Sequence, residues 1–96
     1  MKTIQELRDF FAGIPEDKWC VNILENGKGQ RCALGHLHAK KTGSLFDFLD
    51  CLGVPSNALF KANDNANRTA FYGCPDPQAK ARVLGYLDGL VKDQES

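Results

Sequence analysis

The sequence predicts an all-α domain of four to five short helices, with at most one small β-ribbon near residues 19–32. Three observations carry that prediction. Capping residues recur along the chain, apolar residues behind each cap return at helical spacing, and the segments between them are short and rich in glycine, proline and asparagine. At 96 residues the chain forms one small globular domain over 1–96, with no room for a second core.

Thr3-Ile4-Gln5-Glu6 has capping-box spacing, with Thr3 as N-cap and Glu6 at the third helical position. Ile4, Leu7, Phe11 and Ile14 follow on one stripe with Phe10 beside it, and Gly13 and Pro15 end the helix. Trp19, Val21 and Ile23 alternate along Trp19-Cys20-Val21-Asn22-Ile23-Leu24 and predict a short strand with those three side chains on one side. Glu25-Asn26-Gly27-Lys28-Gly29 is a turn, because Asn-Gly adopts positive φ readily.

A helix is expected from about Cys32 to Gly43, with Ala33, Leu34 and Leu37 on one face. Cys32, Gly35, His36 and Ala39 share another face, and three of these four are small enough for a second element to approach closely. Ser44 caps the next helix, whose stripe is Leu45, Phe48, Leu49 and Leu52 and whose stop is Gly53. Pro55 and Ser56 introduce a short helix containing Leu59 and Phe60.

Asn63 to Thr69 reads as a polar loop and Ala70 to Cys74 as irregular. Asp76 as N-cap and Pro77 at the first position open the last helix, which carries Val83, Leu84, Leu87, Leu90 and Val91. Lys92 to Ser96 are expected to fray. Trp19, Leu34, Leu37, Phe48, Leu59, Leu84 and Leu87 are expected to converge in one core. Gly85 and Gly89 lie opposite the last helix's apolar stripe, where they predict the close approach of another helix or another chain.

Composition is that of an ordinary globular protein, 43% hydrophobic and 25% charged, and no apolar run reaches the ~18 residues of a membrane helix. The opening residues lack the apolar core of a signal peptide, so a cytoplasmic location and reduced Cys20, Cys32, Cys51 and Cys74 are expected. Formal charge is zero but unevenly spread: residues 1–25 sum to −2, 26–46 to +4 and 47–96 to −2. The basic stretch holds Lys28, Arg31, Lys40 and Lys41, and also His36 and His38.

Several short motifs together resemble an uncharacterised family of small bacterial and phage proteins. They are Trp19, the helix start Arg31-Cys32-Ala33-Leu34-Gly35-His36-Leu37, Asn63-Asp64, and Val83-Leu84-Gly85-Tyr86-Leu87-Asp88. The chain departs from that pattern after Thr69, where Ala70 to Pro75 intervene before the last helix. The resemblance implies a bacterial or phage origin and a shared scaffold, and it implies no activity.

Lys28 and Arg31 stand beside two glycines just ahead of a helix N-terminus, where unpaired N–H groups and the helix dipole favour an anion. The ending of a phosphate loop is missing, and a glycine turn before an ordinary helix explains the same residues. Cys32 and His36, one helical turn apart, have the spacing of a thiol nucleophile and its base, yet a buried packing thiol between Gly35 and Ala39 is the preferred reading. Zinc at Cys20, Cys32, His36 and His38 is disfavoured, since paired ligands at close spacing are absent. Asn63, Asp64 and Arg68 suit a ribose or phosphate, but such residues more commonly tie down a loop.

These readings converge on a non-enzymatic binding module with no cofactor and no metal, docking onto a protein partner or a small anionic, nucleotide-like ligand. Interference with a host defence is one such role. The candidate binding residues are Lys28, Arg31, His36, Asn63, Asp64 and Arg68. A cysteine-dependent enzyme using Cys32 and His36, or a structural subunit of a homo-oligomer, is the competing class; nucleic acid is a weaker partner and a membrane is not expected.

Overall fold

A computed structural model describes residues 3–40, 44–64 and 73–95. It is mostly helical, and no sheet forms among these residues. Five α-helices follow in order, α1 Ile4–Ala12, α2 Ala33–Lys40, α3 Leu45–Leu52, α4 Ser56–Asp64 and α5 Gln78–Glu95, with one 3₁₀ turn at Glu16–Lys18.

The local signals act as their chemistry dictates. Thr3 Oγ1 accepts the Glu6 amide at 3.1 Å and Ser44 Oγ accepts the Asp47 amide at 3.3 Å, so each satisfies an orphan donor of a first turn. Gly53 closes α3 at φ +76°, returning its amide to the last carbonyls. Asp76 Oδ1 accepts the Gln78 amide at 3.0 Å, and α5 begins one residue beyond Pro77 and continues to Glu95, past the point where fraying was expected.

The longest helix, α5, organises the packing, lying against both α1 and α4. Ile4, Leu7 and Phe11 of α1 meet Ala79, Val83 and Leu87 of α5, with Trp19, Leu37, Leu49 and Leu59 completing one contiguous core. Leu34 also belongs to it, while Phe48 and Leu84 are half-buried against its edge. The face of α5 with Gly85 and Gly89 is exposed, and no described residue comes within 4 Å of where a Cβ would stand at either position.

The small β-ribbon that the sequence allowed near residues 19–32 does not form. Residues 19–31 run as an irregular loop with isolated bridges, Trp19 to Arg31, Cys20 to Pro75 and Glu25 to Arg31. Asn22 adopts φ +65° and turns the chain directly after Val21, which breaks the alternation a strand requires. Trp19 is buried as anticipated, and Val21 with it, but Ile23 is turned out to solvent and does not share their side. Asn63 and Asp64 are likewise not loop residues; they form the last turn of α4 and are buried. Arg68, Gly43 and most of the expected polar loop lie outside the described residues.

Candidate functional site: a braced loop with an apolar edge

The 19–31 loop lies between two lines of backbone contact. On one side the Cys20 amide donates to the Arg31 carbonyl at 3.1 Å, and the Arg31 amide donates to the Lys18 carbonyl at 3.0 Å. On the other side Trp19 and Val21 are bonded to residues 73–76: Val21 N–H to Cys74 O at 3.0 Å, Gly73 N–H to Val21 O at 2.9 Å and Asp76 N–H to Trp19 O at 3.1 Å.

Side chains then fix what the backbone leaves open. Asn63, fully buried, accepts the Ala33 amide on Oδ1 at 3.0 Å and donates from Nδ2 to the Cys20 carbonyl and to Asp64 Oδ1. Asp64 Oδ1 also accepts the Asn22 amide at 3.1 Å, holding the residue with positive φ in place. One asparagine–aspartate pair thus joins the C-terminus of α4 to the start of α2 and to both ends of the bend at 20–22. Asn26 is a second hub. Its Oδ1 accepts the Lys28 and Gln30 amides, and its Nδ2 donates to the Gly73 carbonyl.

Two glycines let these parts close up. A Cβ at Gly35 would stand 2.0 Å from the Leu24 carbonyl oxygen, so the loop lies directly on the backbone of α2. The small face seen in the sequence does receive a close neighbour, and that neighbour is the loop. Gly73, at φ +78°, faces Asn26 with room for no side chain.

The candidate residues therefore separate. Lys28 is exposed at the turn, and Arg31 pairs loosely with Glu25 at 3.6 Å. His36, Asn63 and Asp64 are interior residues. Four of the N–H groups at and ahead of the start of α2 are engaged: Lys28 and Gln30 by Asn26, Cys32 by the Leu24 carbonyl at 3.3 Å, and Ala33 by Asn63. Anion binding through those amides would first have to break this network.

The thiol and imidazole of the interior are similarly committed. Cys32 is a buried free thiol; burial pushes its pKa up, against a smaller lowering by the Gly35 and Leu34 amides. Burial, followed by the proximity of Cys32, Asp64 and Cys74, pushes the Cys20 thiol up to about 11. The His36 ring meets the Trp19 ring edge-on at 4.8 Å between centroids, and its Nε2 is buried with no hydrogen-bond partner among the described residues. Burial, and then the charge on Arg31, lower the His36 pKa, while the Lys18 and Arg31 carbonyls oppose the shift.

What remains accessible is an edge. Ile23 and Leu24 are 39% and 47% exposed, adjacent in sequence and fixed by the bonds around them. Beside Leu24 lies a hollow of about 150 Å³ lined by Leu24, Glu25, Arg31, Gly35, His38 and Ala39. The sequence reading missed this edge because it set Ile23 on the same side of a strand as Trp19 and Val21; Asn22 and Asn26, both of a type that tolerates turning backbone, were the signals available. It also missed Arg82, which holds the carbonyls of Ala62 and Asn63 and the Asp76 carboxylate, and so anchors the polar pair from behind.

The chain matches no known family model, no curated protein and no solved structure.

Proposed function

We propose that this chain is a non-enzymatic docking module that presents the edge formed by Ile23 and Leu24 to a protein partner. The observation that carries the reading is the bracing of that edge by the buried Asn63–Asp64 pair. Two adjacent aliphatic side chains held half-exposed on an ordered loop lose little conformational freedom on binding, which favours association. Rigidly positioned loops are also where recognition residues concentrate. With the resemblance to small bacterial and phage proteins, the natural partner is a bacterial host protein, and interference with a host defence is a role of this kind.

A cysteine enzyme is less well supported, because Cys32 is buried with a raised pKa and His36 is buried with a lowered one. The test is site-specific photocrosslinking in bacterial cells producing the full chain. A photoreactive phenylalanine at Leu24 is expected to yield a discrete adduct with one protein, and the same group at Gly85 on the far face of α5 is not. Adducts from position 85 alone, or from neither, would refute the assignment.

A further inference from the structure

We propose that His36 is a proton-operated latch: the neutral ring holds the 19–31 loop closed on α2, and uptake of a proton drives that loop open together with its Ile23–Leu24 edge. The inference rests on the docking reading and adds how the docking edge is regulated.

His36 lies at the neck of the loop, where its two ends meet. There the Cys20 amide donates to the Arg31 carbonyl and the Arg31 amide to the Lys18 carbonyl. The ring engages the same groups: it meets Trp19 edge-on at 4.8 Å, and the Lys18 and Arg31 carbonyls face it as acceptors. The preceding residue, Gly35, is where the Leu24 carbonyl rests on the α2 backbone. One side chain of α2 therefore touches both ends of the loop beside its closest approach to the helix. The carbonyls suit a ring that carries one proton. A second would go to Nε2, which is buried with no hydrogen-bond partner among the described residues, in a residue only 7% exposed. A buried charge without a partner is strongly disfavoured, so the imidazolium must reach water. Trp19 and both carbonyls belong to the neck, and the neck is what yields.

The charges around the ring do not offset this. Arg31, on the loop, opposes protonation and is itself only loosely paired with Glu25 at 3.6 Å. Asp64, on α4, engages the Asn22 amide and Asn63 through Oδ1, and its charge acts on the Cys20 and Cys32 thiols. Cys32, one turn back on α2, is a buried thiol whose pKa burial raises, so it stays neutral in acid. Glu16, Asp17 and Lys18 of the 3₁₀ turn stand at exposed positions, as do Asp47 and Asp50 of α3. Lys61 of α4 and His38 and Lys40 of α2 are exposed as well. The closed loop thus takes the neutral ring, and the open loop takes either form. Below the ordinary pKa of 6.5, each unit of pH favours opening by up to about tenfold, until the closed form itself takes up the proton.

Hydrogen–deuterium exchange of the full chain, followed by NMR between pH about 7.5 and about 5.5, tests the latch; ordinary carboxylates stay ionised over that range. Corrected for the intrinsic rate, protection of the Cys20 and Arg31 amides should fall roughly tenfold on acidification. At both pH values it should lie below that of Leu87 in α5 and be insensitive to dilute urea, the mark of a local opening. His36→Gln, which keeps an N–H for the carbonyls but takes up no proton, should remove the response. His38→Gln, at an exposed position, should leave it intact. The isotope-labelled His36 ring of the parent chain gives a reading that needs no variant, and it should titrate below 6.5.

Protection of Cys20 and Arg31 that ignores pH, or that falls equally in His36→Gln, overturns the proposal. So does protection equal to that of Leu87, because the loop would then open only when the whole chain unfolds. A His36 ring that titrates above 6.5 overturns it too, since the imidazolium would then be held against the Trp19 face. Photocrosslinking from Leu24 at both pH values keeps the two readings apart. A loop that opens in acid without an adduct at either pH supports the latch and removes the docking reading, while an adduct with exchange that ignores pH does the reverse.

Discussion

At the scale of single residues, an uncharged side chain, Asn63, ties three parts of the structure together. Its amide joins α2, α4 and the loop through three hydrogen bonds in a site with no solvent exposure. Asn63→Ala would orphan the Ala33 amide and the Cys20 carbonyl, and each buried unsatisfied group costs about 1–3 kcal/mol. A total loss of about 2–5 kcal/mol is expected, a large share of the ~5–15 kcal/mol that stabilises a domain. Urea denaturation checks this: the midpoint should fall while the slope stays that of the parent chain. Lys28→Ala, by contrast, removes an exposed side chain whose backbone amide alone is used by Asn26. The asparagines, not the basic side chains, set the shape of the loop.

At the scale of elements, the helices were legible in the sequence because their causes are local. Thr3, Ser44 and Gly53 act within their own turns, and the apolar stripes behind them need only one partner face. The 19–31 segment was not legible for the opposite reason. Its path depends on Asp64, 42 residues from Asn22, and on Gly73, 47 residues from Asn26, and nothing in its own periodicity reports those partners. The candidate site was legible in part: its neighbourhood followed from the basic stretch and the glycines, whereas its apolar edge and the engagement of its amides required the fold.

The outer face of α5 yields a prediction at this scale. Nothing in the described structure needs the missing side chains at Gly85 and Gly89. Gly85→Ala or Gly89→Ala should each stabilise the monomer by about 0.8–1 kcal/mol through helix propensity. Calorimetry should then show Tm rising by roughly 4–8 °C per kcal/mol for a chain of this length. A falling Tm would mean that something presses on this face in solution.

For the whole molecule, His36 and Cys20 set opposite edges of a pH window. The folded His36 pKa lies below its ordinary 6.5, so between those two values the unfolded chain binds more protons than the folded one. Stability is therefore full above pH 6.5 and is lost as pH falls towards the folded value. Cys20 is raised from 9.0 to about 11, so the unfolded chain releases a proton first and stability declines as pH climbs through that interval. Denaturation midpoints measured from pH 5 to 10 should show a plateau between 6.5 and 9, and His36→Leu should flatten the acid shoulder.

The contact between the two outer helices also governs when this fold is reached. Arg8 Nε donates to Asp88 at 2.8 Å across 80 residues, and the buried face of α1 packs on α5. At synthesis rates of about 5–20 residues per second, roughly 4–16 s separate those two residues on the ribosome. Throughout that interval Ile4, Leu7 and Phe11 lack the α5 surface that covers them in the fold. α1 is thus covered late although it is made well before α5, and its apolar stripe stays open to a chaperone until α5 emerges.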